Sequence, residues 1–329
     1  MLRLAFAGFR HGHAMALYRA AAAHKDIRIV AACEEDRATA AALREAGTIK
    51  LTHGRFQEML EQVDCDAIGI GDYYAARGPM CIAALERGRH VISDKPICIR
   101  LEELTRIETL ARRGNLRIGC LLDLRGSAPF LTARRLVHEQ AIGQVHTVTF
   151  LGQHPLLWGA RPGWYFEPGL QGGTINDIAI HALDAIPWIT GRRVVEVVAA
   201  RAWNARLPQA PHFQDAAQLM LRLDNGGGVL GDVSYLAPDA CGYTIPQYWR
   251  MTFHGDGGMI ECSEGAASLQ IASSQDRALR DLPLDAPVKD AAIESFLAEV
   301  RGDAAPLSTA DVLAATRLAL EVQRRADRG

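Results

Sequence analysis

The feature that most constrains this chain is an alternation, through its first 121 residues, of short β-branched runs with helical patterns. Strands separated by helices long enough to cross back over them build a parallel sheet covered on both faces. Strands are expected at residues 3–7, 27–33, 67–70, 90–92 and 117–121, with helices at 14–23, 37–45, 78–87 and 101–113. After residue 122 the rhythm changes to longer alternating runs at 145–151, 194–203, 217–223, 229–235 and 249–253. Joined by turns such as Asp224-Asn225-Gly226, these runs read as an antiparallel sheet.

Helices are expected to interrupt that sheet at 129–139 and 175–189 and to follow it at 291–300 and 311–325, where Ser308-Thr309-Ala310-Asp311 has the form of a capping box. At 329 residues the chain is longer than one hydrophobic core supports, so two domains follow. The expected fold class is α/β: a doubly wound parallel sheet over residues 1–121, then an α+β domain with a mainly antiparallel sheet over 122–329. That second domain is expected to bind substrate and to oligomerise, because one face of its sheet must bury apolar positions against another copy. A homodimer or homotetramer is the expected state.

A formal net charge of −2 leaves no field to draw in a phosphate backbone, so nucleic acid is not an expected partner. Neither is a membrane, since no run approaches the roughly 18 apolar residues that span one and residues 1–8 lead straight into a strand and turn. A cytoplasmic location is expected. The seven cysteines form no CxxC pair and fall mostly in apolar runs, the pattern of buried free thiols rather than of a disulfide framework or zinc site.

The first strand runs into Gly8-Phe9-Arg10-His11-Gly12-His13 and then an alanine-rich helix. A glycine turn opening a helix offers unpaired N–H groups and the positive end of the helix dipole to a pyrophosphate, as in Rossmann dinucleotide sites. Arg10 and His13 stand where G-x-G-x-x-G has glycines, so an ordinary strand-to-helix turn remains open on this motif alone. The second strand ends at Glu34, some twenty residues on, where an acid accepts hydrogen bonds from ribose hydroxyls and repels a 2′-phosphate. NAD is the expected cofactor, with NADP left open by Arg37 nearby. His11 and His13 lack the constellation of a metal site, and no metal is expected.

Ser93-Asp94-Lys95-Pro96 after the fourth strand, and Gly172-Gly173-Thr174-Ile175-Asn176-Asp177-Ile178-Ala179-Ile180-His181-Ala182-Leu183-Asp184 later, together resemble the Gfo/Idh/MocA oxidoreductases. In that family an E-K-P turn closes a Rossmann strand and a G-G-x-x-x-D-x-x-x-H-x-x-D helix opens the substrate domain. The resemblance extends over nearly the whole chain, including Ala84–Val91 and Ala141–Val145. Asp94 replaces the family's Glu, and Asp72-Tyr73-Tyr74 stands in place of a T-P-N-like turn. The resemblance implies that Lys95 lies beside the nicotinamide, that Asp177 and His181 face it across an interdomain cleft, and that Asp72, Tyr73 and Asp94 are cofactor-turn residues.

Asp177, His181 and Asp184 fall at i, i+4 and i+7, one face of a helix whose other positions are apolar. Such a stripe is costly to bury unless it lines a wet cleft. Histidine, with an ordinary pKa near 6.5, suits the base that takes the proton of an alcohol becoming a ketone. Lys95 is expected to polarise the reacting oxygen and Asp177 to orient His181, although Thr174 to Asp177 also fits a capping box. Asp123, Arg125, Trp164, Tyr165 and Asp184 are candidate substrate contacts; ion pairing for the first two and loop packing for the aromatics are the structural alternatives.

The expected activity is hydride transfer between nicotinamide and a secondary alcohol or ketone of a sugar, cyclitol or related polyol. Two other readings stay open: a nucleotide-bound sensor without turnover, and a redox-neutral lyase or glycosidase using tightly bound NAD.

Overall fold

The computed structural model describes residues 1–328. It divides into two compact units. The first comprises Met1–Leu121, Pro162–Gly172 and Ala292–Thr316; the second comprises Leu122–Arg161, Gly173–Ala291 and Arg317–Gly329. Two later segments therefore rejoin the first unit, which a single boundary after residue 121 does not provide for.

The first unit holds a five-stranded parallel sheet of β1 (Leu2–Ala7), β2 (Ile27–Cys33), β3 (Ala67–Ile70), β4 (His90–Ser93) and β5 (Ile118–Cys120) in the order β2-β1-β3-β4-β5. The chain leaves β1 for β2 on one side and resumes at β3 on the other, so the crevice at the carboxyl ends of β1 and β3 is a topological switch point. Helices α1 (Gly12–Ala23), α2 (Arg37–Ala46), α4 (Tyr74–Glu86) and α5 (Leu101–Gly114) lie where the 3.6-residue pattern puts them, and a short α3 (Phe56–Gln62) of about two turns is too brief to show a period. Helix α4 starts four residues before the expected 78: Gly78-Pro79 resembles a helix start, yet Pro79 sits inside the helix. Gly78 is held there because a Cβ would come within 2.4 Å of Glu103 on α5.

Late in the chain come α8 (Ala291–Arg301) and α9 (Thr309–Ala326). Phe296 of α8 belongs to the same apolar cluster as Leu4, Phe6 and Ile92, and it packs so closely on β5 that a Cβ at Gly119 would sit 3.0 Å from its ring. The expected capping box forms: the Ser308 N–H donates to Asp311 Oδ2 (2.9 Å) and the Asp311 N–H donates to Ser308 Oγ (3.2 Å). Thr309 ties this turn to the sheet, its Oγ1 accepting the Ile118 N–H at 2.9 Å.

The second unit carries an eight-stranded sheet of β6 (Val145–Pro155), β7 (Val194–Trp203), β8 (Ala216–Leu223), β9 (Gly228–Ala237), β10 (Arg250–Gly255), β11 (Gly258–Ser263), β12 (Ser268–Ser273) and β13 (Arg280–Pro283) in the order β13-β12-β11-β10-β6-β9-β8-β7. Every pairing is antiparallel except β6 with β9. The last three strands escaped the sequence pattern because they are short and mixed in polarity. Their signal was Asp256-Gly257, the two-residue hairpin turn between the paired Gly255 and Gly258. One face is backed by α6 (Ala128–His138) and α7 (Ile180–Thr190), and the other leaves Leu230 51%, Val195 48% and Met220 44% exposed. Cys241 is half-buried and the other six cysteines are buried; all are free thiols.

The Phe296 contact yields a test of the first unit. Truncation to Ala removes a fully buried ring and leaves a cavity over β5, so Phe296→Ala is expected to cost about 3–5 kcal/mol in urea-induced unfolding. An unchanged midpoint would show that α8 does not complete this core.

Candidate active site

At the switch point, Gly8 has φ +81° and lies so close to the next crossover that a Cβ would come within 2.8 Å of the Asp72 N, Cα and Cβ atoms. Only glycine permits both the turn and the approach. Helix α1 then opens with no side-chain cap and no acid in its first turn, and Gly12 faces open space. Those N–H groups and the dipole's positive end are what a pyrophosphate requires, so the residues fit a dinucleotide.

The remaining loop residues are anchored one by one. The Phe9 N–H donates to Glu34 Oε2 (2.6 Å), and the Asp36 N–H donates to Glu34 Oε1 (2.8 Å). Glu34 is thus buried at the β2 tip, and burial, outweighing these two donors, raises its pKa. Arg10 turns from the loop onto Asp72, its Nε 2.7 Å from Oδ1, with its guanidinium over the Tyr73 ring at 4.4 Å. Three sequence-predicted cofactor residues, Arg10, Asp72 and Tyr73, are brought together in this way. Burial also raises the Asp72 carboxyl, against the pull of Arg10.

His11 Nδ1 stands 2.5 Å from Asp94 Oδ2, off the line of a good hydrogen bond, and His13 Nδ1 lies 3.2 Å from Asp94 Oδ1. The wholly buried Arg77, which the sequence reading missed, donates to that same Asp94 Oδ2 (2.8 Å) and to the Asp72 (2.7 Å) and Lys95 (2.5 Å) carbonyls. Burial alone would raise the Asp94 carboxyl, but Arg77 and the two histidines outweigh it and hold the group well below its ordinary value. An ionised Asp94 places the His11 proton on Nδ1 and leaves Nε2 an acceptor for the Tyr165 hydroxyl (2.9 Å), itself 2.6 Å from the Tyr74 hydroxyl. Potential ligand atoms of His11, His13 and Asp94 lie within 4.8 Å of one another, closer than their spacing in the sequence suggested. Arg77 and the positive end of α1 oppose a cation there.

Lys95 is buried, with its Nζ 5.9 Å from the centre of the Tyr74 ring, which also carries Arg77 at 4.4 Å. Trp164 and Tyr165, expected as substrate surfaces, instead pack into the first unit, 6% and 2% exposed. Trp164 Nε1 donates to the Arg10 carbonyl (3.2 Å), and its ring lies edge-on to Tyr74 at 5.1 Å. Loop packing is thus what the structure shows for both.

In the second unit the helix expected at 175–189 opens as a π-helical turn, Ile175–Ala179, before α7. Such turns are rare and frequent at functional sites. Its start is capped by Gln323 of α9, whose Oε1 accepts the N–H groups of Ile175 (2.9 Å) and Asn176 (3.4 Å). Gly173, at φ +99°, is in a backbone conformation that strains any side chain, and a Cβ there would also displace the Gln323 amide, whose carbon would lie 2.2 Å away. The capping-box alternative for Asp177 is not realised: Thr174 Oγ1 donates to the Gln214 carbonyl, and the Asp177 carboxylate accepts from the Tyr235 hydroxyl.

His181, 8% exposed, meets the Trp249 ring edge-on at 5.4 Å. Asp184 does not join it as an open acid: Arg125 Nε and Nη2 donate to its two oxygens at 2.8 and 2.6 Å, so two candidate substrate contacts form a buried ion pair. Asp123 is exposed at the start of the short turn Asp123–Gly126. Beyond Trp249 an aromatic cluster surrounds His154, with Tyr248 at 4.8 Å, Trp249 at 5.5 Å and Tyr243 at 5.8 Å. Burial pushes the Tyr248 phenol up to about 12, keeping it a hydrogen-bond donor.

Comparison with known proteins agrees with this architecture. Residues 2–120 match a model described as the oxidoreductase family, NAD-binding Rossmann fold, and residues 130–261 match one described as the GFO/IDH/MocA C-terminal domain. The chain belongs to the Gfo/Idh/MocA oxidoreductase family, and its first unit is an NAD-binding Rossmann domain. Inositol 2-dehydrogenase of Corynebacterium glutamicum is 26% identical over 220 residues, 66% of this chain and 61% of that protein. The 1-carboxy-3-chloro-3,4-dihydroxycyclo hexa-1,5-diene dehydrogenase of Comamonas testosteroni is 23% identical over 209 residues, 64% of this chain and 51% of that protein. The chain spans about half the length of the first such curated relatives. An inositol dehydrogenase homolog from Azotobacter vinelandii complexed with NAD+ has the same fold, with a TM-score of 0.82 at 17% identity covering 100% of this chain and 96% of that one.

The His11 environment sets a pH dependence. Burial, only partly offset by Asp94, pushes its imidazole down to about 4 from an ordinary 6.5; Arg77 and His13 oppose protonation as well. Between those values the unfolded chain binds a proton that the folded chain refuses, so stability is full above pH 6.5 and lost as pH falls toward 4. The loss attributable to His11 is on the order of 3 kcal/mol. The thermal midpoint is therefore expected to fall more steeply from pH 7 to 4.5 in the wild type than in His11→Gln, and parallel curves would contradict this origin.

Proposed function

We propose that this chain is a nicotinamide-dependent dehydrogenase moving hydride between NAD and a secondary alcohol, or its ketone, on a sugar, cyclitol or related polyol. The observation that carries the reading is the pairing, on one π-opened helix, of a carboxylate fixed by Tyr235 with a histidine set against Trp249. His181 takes the hydroxyl proton as the carbonyl forms, Asp177 orients it, and Lys95 polarises the reacting oxygen. Gly8, Gly12, Glu34 and the start of α1 hold the cofactor, which when bound supplies the hydride acceptor. The rings of Trp249, Tyr248 and Tyr243 beside His154 support a substrate with an apolar C–H face, as a pyranose or cyclitol ring has.

No helix among the described residues is long and apolar enough to cross a membrane. Cytosolic work on a small diffusible substrate is consistent with that. The exposed apolar face around Val195, Met220 and Leu230 supports association with a second copy, as a homodimer or as half of a homotetramer.

Two measurements follow. With polyols and sugars screened by absorbance of the reduced nicotinamide, Lys95→Ala, Asp177→Asn and His181→Ala are each expected to lower kcat by about 10²- to 10⁴-fold while cofactor Kd stays near wild type. Wild-type turnover in His181→Ala would remove its assignment, and an Asp177→Asn variant that only melts earlier would make that carboxylate structural. Sedimentation velocity at micromolar protein is expected to show an oligomer, shifted toward monomer by Leu230→Glu with Met220→Glu; a wild-type monomer would refute the assembly.

A further inference from the structure

Two departures from the family pattern, Asp94 for glutamate in the lysine turn and side chains for glycines in the phosphate loop, meet at one place. Asp94 holds His11 and His13, and His11 holds Tyr165. Tyr165 belongs to Pro162–Gly172, the segment that leaves the first unit's sequence neighbourhood by forty residues and then returns to it. That segment is tied to the loop and to the first turn of α4 by three bonds of different kinds. Tyr165 donates to His11, Trp164 Nε1 donates to the Arg10 carbonyl, and the Leu170 carbonyl accepts the Ala75 N–H at 3.1 Å. Its end is fixed at Gly172, where φ is +81° and a Cβ would stand 2.4 Å from Ile99 Cγ2.

We propose that Pro162–Gly172 is a strap across the phosphate loop, latched by Asp94, His11 and Tyr165, and that it slows the escape of bound NAD. This rests on the first unit's use of NAD but on no particular substrate. A glycine-rich loop fits a pyrophosphate by being bare and is free to move with it. Here the same stretch is tethered at Phe9, Arg10, His11 and His13. A loop ordered before the ligand arrives loses no freedom on binding, and the benefit falls on the dissociation rate more than on association. The latch is directional: Arg77 keeps Asp94 ionised, Asp94 puts the His11 proton on Nδ1, and Nε2 is left to accept from Tyr165. A cofactor retained over many turnovers is also what a redox-neutral reaction needs, in which the substrate is oxidised and then reduced again by the same nicotinamide.

The test uses the full chain and NADH, without substrate. Dissociation is followed by stopped-flow loss of energy transfer from protein tryptophan to NADH on mixing with excess NAD. Tyr165→Phe, which keeps the ring and removes only the latch hydroxyl, and His11→Ala are each expected to raise the dissociation rate about tenfold, with association changed less than threefold. The double variant is expected to be little faster than either single one, because both break one latch. Phe296→Leu, a core substitution that leaves every latch residue in place, serves as a stability control: lower Tm with unchanged dissociation separates general weakening from loss of the latch. Dissociation within twofold of wild type in both single variants, or additive effects in the double, overturns the latch. Absence of NADH binding in the wild type overturns the cofactor reading itself.

Discussion

A guanidinium with no exposed surface organises the cofactor end of this protein. Burying a charge costs several kcal/mol unless its partners are close and well aligned. Arg77 meets that condition by reaching from α4 to the carboxylate of Asp94 and to the main-chain carbonyls of Asp72 and Lys95. Two loops that must lie side by side at the carboxyl ends of β3 and β4 are thereby fixed to one planar group. Its charge in turn keeps Asp94 an anion inside the protein, which decides the tautomer of His11. The degraded glycine motif is thus only half of a system whose other half lies sixty to eighty residues on.

Sequence pattern made the Rossmann unit legible because its signals are local: alternating periods, a glycine at the first crossover, an acid at the β2 tip. Arg77 left no such trace, since nothing in Ala75-Ala76-Arg77-Gly78-Pro79 distinguishes a solvated arginine from one with every donor aimed inward. Trp164 and Tyr165 misled for the opposite reason. Aromatics in a Gly/Pro-rich segment look available to a ligand, and only tertiary structure reveals that their edges and hydroxyls are already engaged by His11, Tyr74 and the Arg10 carbonyl.

The helix that carries Asp177 and His181 shows the same division. Asp177 and His181 were readable from spacing on an apolar helix, but the π-helical opening and the Gln323 cap depend on an amide nearly 150 positions later. Asp184 shared their stripe and their chemistry, yet Arg125 neutralises it. Periodicity identifies which groups share a face; it cannot tell which of them the rest of the protein has spent on ion pairing.

The late return of α8 bears on how the nascent chain emerges. The Rossmann sheet lacks its Phe296 lid and its Thr309 tie until roughly 175 to 190 further residues have left the ribosome, a wait of roughly ten to forty seconds at ordinary elongation rates. During that interval β5 and the apolar side chains around Gly119 have no permanent cover. Vectorial synthesis therefore cannot finish the N-terminal half first, and the growing polypeptide offers a sticky, incomplete sheet to chaperones and to its neighbours on the same polysome.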